Sequence, residues 1–98
     1  MSDWRPSASL DTIAARARLL HQLRDFFAAR NVMEVETPLL AQATVTDPNL
    51  EVFAVSTDVV GTSPYRFLQT SPEFAMKRLL AAGSGDIFQI SKAFRKEE

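Results

Sequence analysis

Apolar residues recur near helical spacing early in the chain. Ile13, Leu20, Leu23 and Phe27 fall on one side, and Leu19 and Phe26 widen the stripe. The spacing predicts a helix running to about Arg30, capped by Asp11 or Ser9, whose side-chain oxygens can accept from the first free N–H groups. Arg16, Arg18, Arg24 and Asp25 lie largely off the stripe, and His21 sits among them as a solvated or hydrogen-bonded side chain. Asn31 enters left-handed backbone readily and marks the stop. The period then changes to two. Residues 32–37 read as a short strand, with Met33 and Val35 on one face and Glu34 and Glu36 on the other. Pro38 closes it, where a missing N–H costs nothing.

Residues 39–46 carry no clear period, and Asp47-Pro48-Asn49 reads as a turn. Residues 51–57 and 65–70 are rich in β-branched or aromatic side chains and predict two strands, joined by a hairpin loop at 61–64. Ser71 is placed to cap a second helix, with Pro72 at its first position and Glu73 in its first turn, where the helix dipole favours an anion. Phe74, Leu79 and Leu80 give this helix an apolar side, and Gly83 ends it. The last stretch, residues 87–98, reads as a strand. Phe88, Ile90 and Phe94 share one parity and line a buried face, while Gln89, Ser91, Ala93, Arg95 and Glu97 share the other. The order is helix, strand, hairpin, helix, strand: an α+β pattern around an antiparallel sheet. Residues 1–9 form a polar lead-in, in which Trp4 packs locally.

Composition narrows the function. At 98 residues the chain is at most one small domain. Its formal net charge of −1 argues against a nucleic-acid module that works by bulk electrostatics. With no cysteine, disulfide scaffolds, thiolate zinc sites and thiol nucleophiles are excluded, and a single histidine argues against a metal site. No apolar run approaches a membrane span or a signal-peptide core, so a cytoplasmic protein is expected. The abrupt, charged end leads us to expect a fragment of something longer. On the final strand, Arg95 offers a planar fork of donors suited to phosphate or carboxylate, and Glu97 stands two residues away on the same face. The alternative for that stretch alone is a solvent-exposed strand end.

Two stretches together resemble a known family. A long helix, short strand and closing proline, from Ala17 to Leu40 with Phe26-Phe27 and Val32-Met33-Glu34-Val35-Glu36-Thr37-Pro38 at its centre, resembles motif 1 of the class II aminoacyl-tRNA synthetases. Phe94-Arg95-Lys96-Glu97 resembles the start of motif 2, aromatic-Arg-x-Glu. Thr70-Ser71-Pro72-Glu73 and Lys77-Arg78-Leu79 lie between them in the matching order. The likeness is to the lysyl branch and covers nearly the whole chain from about residue 7. Because motif 1 begins almost at Met1, the β-barrel anticodon domain of a lysyl-tRNA synthetase is not expected ahead of it. Gln42-Ala43-Thr44-Val45-Thr46-Asp47 also resembles the truncated members of the branch that modify elongation factor P.

The resemblance implies that residues 1–98 are the N-terminal part of a class II catalytic domain, with the antiparallel sheet only partly present. It implies ATP-dependent activation of (R)-β-lysine or lysine as an acyl-adenylate, and transfer to a lysine of elongation factor P. By the same resemblance, Arg95 contacts the α-phosphate of ATP, Lys96 and Glu97 share the nucleotide-binding segment, and Ser71, Pro72 and Glu73 map onto the substrate-binding segment. Glu73 would partner a substrate ammonium; its alternative is a first-turn helix charge. Motif 1 would form a homodimer interface. Magnesium ligands, the second ATP-binding arginine and the loop over ATP are expected outside these residues, so the chain by itself is expected to be inactive. tRNA and membranes are not expected partners. A lysyl-tRNA synthetase fragment and a non-catalytic dimerisation module remain the alternatives.

Overall fold

A computed structural model describes residues 3–42, 52–57 and 65–96. The expected turn at 47–49, the hairpin loop at 61–64, most of the 42–47 stretch, and Glu97 lie outside the described residues. Helix α1 spans Leu10–Ala28. Ser9, not Asp11, is its cap: the Ser9 hydroxyl accepts from the Thr12 N–H at 3.1 Å. Beyond Ala28 the chain closes with the Asn31 N–H on the Ala28 carbonyl at 3.2 Å and the Val32 N–H on the Phe27 carbonyl at 3.0 Å. Asn31 turns the chain at φ 58°, the left-handed stop that its position predicts.

Strands β1 (Met33–Glu34), β2 (Leu40–Ala41), β3 (Ala54–Ser56) and β4 (Tyr65–Leu68) follow, then helix α2 (Glu73–Ala81) and strand β5 (Ile87–Phe88). They form two small sheets, which corrects the single antiparallel sheet expected. β2, β4 and β3 are antiparallel, with β4 in the middle. β1 and β5 run parallel, Met33 beside Ile87 and Glu34 beside Phe88. A parallel pair needs a long crossover, and here the hairpin and α2 supply it. The β2 strand was missed because two residues cannot display a period.

The final strand is also shorter than expected. Pairing stops at Phe88, and the last main-chain bond to it comes from the Val35 N–H. Side-chain parity survives beyond the pairing: Phe88 is buried, Ile90 and Phe94 are half-buried, and Ser91, Ala93 and Arg95 are exposed. Gln89 breaks the pattern by turning partly inward.

Packing between layers centres on Phe27 and Phe88, whose rings stack with centroids 4.2 Å apart. The Arg24 guanidinium Nε donates to both Glu34 carboxylate oxygens at 3.0 Å and ties α1 to β1. Leu20 is half-buried, and the rest of the α1 stripe is uncovered: Ile13, Leu19, Leu23 and Phe26 are between 38% and 55% exposed. Accessible surface totals 8002 Å², against roughly 5,600 Å² for a compact monomer of the same mass. At the periphery, the exposed Trp4 has the Arg5 guanidinium 4.9 Å from its ring, and His21 faces Asp25 in solvent. No described helix is long and apolar enough to cross a membrane.

Candidate functional site

The junction between β4 and α2 is where polar residues go inside. Gln69 and Thr70 are 6% and 2% exposed. Both sides of the Gln69 peptide are engaged: its N–H donates to the Leu39 carbonyl, and its carbonyl accepts from the Phe94 N–H, each at 2.9 Å. The segment before α2 is thereby fastened on one side to residues just past Pro38, and on the other to the residue before Arg95.

Regular helix begins at Glu73, with Pro72 in the capping position that Ser71 was expected to hold. The fixed ring of Pro72 sets its φ at −80°, but its ψ of 2° is outside the helical range, so the helix starts one residue late. Ser71 still serves the helix end, its hydroxyl accepting from the Glu73 N–H at 3.3 Å. Gly83 ends the helix in left-handed backbone, with the Gly83 N–H on the Leu80 carbonyl and the Ser84 N–H on the Leu79 carbonyl.

Ser71, Pro72 and Glu73 line one shallow cavity of about 350 Å³ with Met76, Lys77 and Leu80. Glu73 stands at its rim in water, its Oε1 2.9 Å from Lys77 Nζ. Arg95 and Lys96 are exposed cations that do not line this cavity. The backbone bond at Phe94 brings their segment to the junction. Glu97 lies outside the described residues. No group of three histidine, aspartate or glutamate side chains among the described residues could hold a metal ion.

The pattern of residues alone missed Thr37 and misplaced Gln89. Thr37 is 7% exposed, and its hydroxyl donates to Gln89 Oε1 at 2.9 Å. A usable signal was parity, since Thr37 continues the face of Met33 and Val35. The buried Nε2 atoms of Gln69 and Gln89 have no hydrogen-bond partner among the described residues.

A family model described as tRNA synthetases class II (D, K and N) matches residues 1–98. Among curated relatives, the elongation factor P–(R)-β-lysine ligase of Vibrio cholerae is 56% identical over 101 residues, covering 99% of this chain and 31% of the relative. The ligase of the same name from Pseudoalteromonas translucida is 60% identical, covering 97% of this chain and 30% of the relative. That from Photobacterium profundum is 50% identical over a similar span. The chain thus spans under a third of the length of the curated relatives it matches. With the whole sequence inside the family model, the chain belongs to the class II tRNA synthetases of the D, K and N group.

Proposed function

We propose that the chain forms nucleotide- and amino-acid-binding parts of an ATP-dependent ligase that activates (R)-β-lysine or lysine as an acyl-adenylate and joins it to a lysine of elongation factor P. The observation that carries this reading is the 2.9 Å bond from the Phe94 N–H to the Gln69 carbonyl. It ties the residue before Arg95 to the segment that leads into residues 71–73, which supports a reading in which one ligand spans both. The names of relatives at 56% and 60% identity support the choice of substrates.

In this reading Ser71, Pro72 and Glu73 bind the amino-acid substrate. Glu73 accepts the alkylammonium of Lys77 at 2.9 Å, the same group type that ends a lysine side chain. An exposed pair of this spacing contributes only about 0.3–0.5 kcal/mol, so a substrate ammonium can displace Lys77 at little cost. The substrate carboxylate then attacks the α-phosphorus of ATP in line. The bond to the β-phosphate oxygen breaks, pyrophosphate leaves, and the acyl-adenylate forms. The fork of Arg95 meets the non-bridging oxygens that gather charge, with Lys96 and Glu97 in the same nucleotide-binding stretch. The acceptor lysine amine next attacks the acyl carbon, loses a proton and expels AMP. Magnesium, when bound, would neutralise the phosphate charge; the described residues do not form a site for it, and no step above depends on one.

The exposed stripe on α1 supports a homodimer through Ile13, Leu19, Leu23 and Phe26. The test of function is ATP–pyrophosphate exchange by the protein that carries this chain, with (R)-β-lysine and with lysine, followed by transfer to elongation factor P or to lysine tRNA. We expect exchange and labelling of the protein acceptor. Charging of tRNA without protein labelling would overturn the acceptor assignment in favour of a lysyl-tRNA synthetase. No exchange with either amino acid would leave a non-catalytic dimerisation module.

A further inference from the structure

We propose that Thr37 and Gln89 are positioning residues that set where the Arg95 segment leaves the parallel β1–β5 pair. The inference rests on the functional reading of Arg95 given above and deepens it. Three links join the stretch just past β1 to the rest of the site. The Val35 N–H donates to the Phe88 carbonyl at 2.9 Å, the last rung of the parallel ladder. Beyond it the described residues make no further main-chain bond between the two segments. There the side chains take over, with the Thr37 hydroxyl donating to Gln89 Oε1 at 2.9 Å across 52 residues of sequence. Two residues past Thr37, the Leu39 carbonyl accepts from the Gln69 N–H, and the Gln69 carbonyl in turn holds the Phe94 N–H.

The chain from Gln89 to Phe94 is therefore pinned at both ends to residues 37–39, directly by Thr37 and indirectly through Gln69. Arg95 follows the second pin. Such an arrangement has an energetic signature: Thr37 is almost fully buried, and the Gln89 amide keeps its Nε2 buried without a partner among the described residues. A buried donor left unmade costs stability, whereas a methyl-bearing pair of similar shape would not. A glutamine at this position is thus suited to aiming the segment through its one specific bond more than to packing. Misplacement of a reacting group by about 1 Å is enough to cost on the order of a hundredfold in rate, so a single side-chain bond at the root of the segment can govern the chemistry at its tip.

The test uses Thr37→Val, Gln89→Leu, the double variant and Thr37→Ser in the protein that carries this chain. Three quantities are read: the thermal melt, kcat and KM in ATP–pyrophosphate exchange, and hydrogen exchange at the Phe94 amide. We expect Thr37→Val and Gln89→Leu each to lower kcat by about tenfold or more, with a much smaller change in KM for the amino acid. Thr37→Ser, which keeps the hydroxyl, restores the rate. The double variant recovers thermal stability relative to the singles but not kcat, and Phe94 exchanges faster in each variant that lacks the bond. Losses that follow the melt alone, or a double variant with normal kcat, would overturn the positioning role. Should the parent protein show no pyrophosphate exchange, the functional reading fails. The pinning geometry is then judged by Phe94 exchange alone: faster exchange in Thr37→Val upholds it, and unchanged exchange overturns it.

Discussion

Around the β4–α2 junction polar side chains are inside, and along α1 apolar side chains are outside. Thr37, Gln69 and Thr70 are buried, in a set whose only buried hydrophobic residue among those described is Phe88. Leu10, Ile13, Leu19, Leu23 and Phe26 stand in water. Each arrangement is unfavourable by itself. A buried donor without a partner costs about 1–3 kcal/mol, and an exposed large apolar side chain forgoes about 1.5–3 kcal/mol of burial. The difference lies in what each region does with the cost. The junction uses directional bonds, through Gln69 and Gln89, to fix the relation of three distant segments. The stripe offers non-directional area to a surface that the chain does not itself supply. One region specifies geometry, and the other specifies association.

The largest effect should come from the tip of the junction. Arg95→Ala should lower exchange roughly a hundred- to a thousandfold while shifting the melt little, since exposed substitutions usually stay within about 0.5 kcal/mol. Arg95→Lys should recover little, for it lacks the planar fork. Near-normal exchange in the alanine variant would remove Arg95 from the site.

Glu73→Gln comes next. A hydrogen bond to a charged group is worth about 1.5–3 kcal/mol, so KM for the amino acid should rise by roughly ten- to a hundredfold, with KM for ATP changing far less. An equal rise in both would show a general loss of the site.

On the opposite region, a Leu23→Lys, Phe26→Lys pair should abolish self-association in sedimentation at micromolar concentration while leaving the secondary structure seen by circular dichroism in place. A pair variant that stays dimeric would place the interface elsewhere. The smallest effect belongs to Ser9→Ala, which removes the bond to the Thr12 N–H and should cost about 1 kcal/mol of stability with no change in exchange rate.

How far the residues predicted this arrangement depended on the distance of the interactions. The Ser9 cap, the Asn31 and Gly83 stops and the Ser71 contact were legible because each is settled within about five residues. The antiparallel β3–β4 pairing was legible from its two β-rich runs. The parallel pairing of β1 with β5 was not, since nothing local distinguishes a strand that pairs forward from one that pairs back. Gln89 shows the same limit in a single residue. Alternation set it beside Arg95 on the ligand face, and its actual partner is Thr37, far away in sequence. At the site, Ser71, Pro72 and Glu73 share a cavity, while their nearness to the Arg95 segment rests on the Gln69–Phe94 bond, which no pattern of residues encodes.

The central claim is that the two segments serve a single ligand, and binding of a non-hydrolysable lysyl-adenylate analogue to the protein that carries this chain tests it most directly. The account predicts that the analogue binds at least about a hundredfold more tightly than lysine or AMP alone and slows hydrogen exchange at both the Glu73 and the Phe94 amides. Binding no tighter than that of either half, or protection confined to one of the two amides, would contradict it.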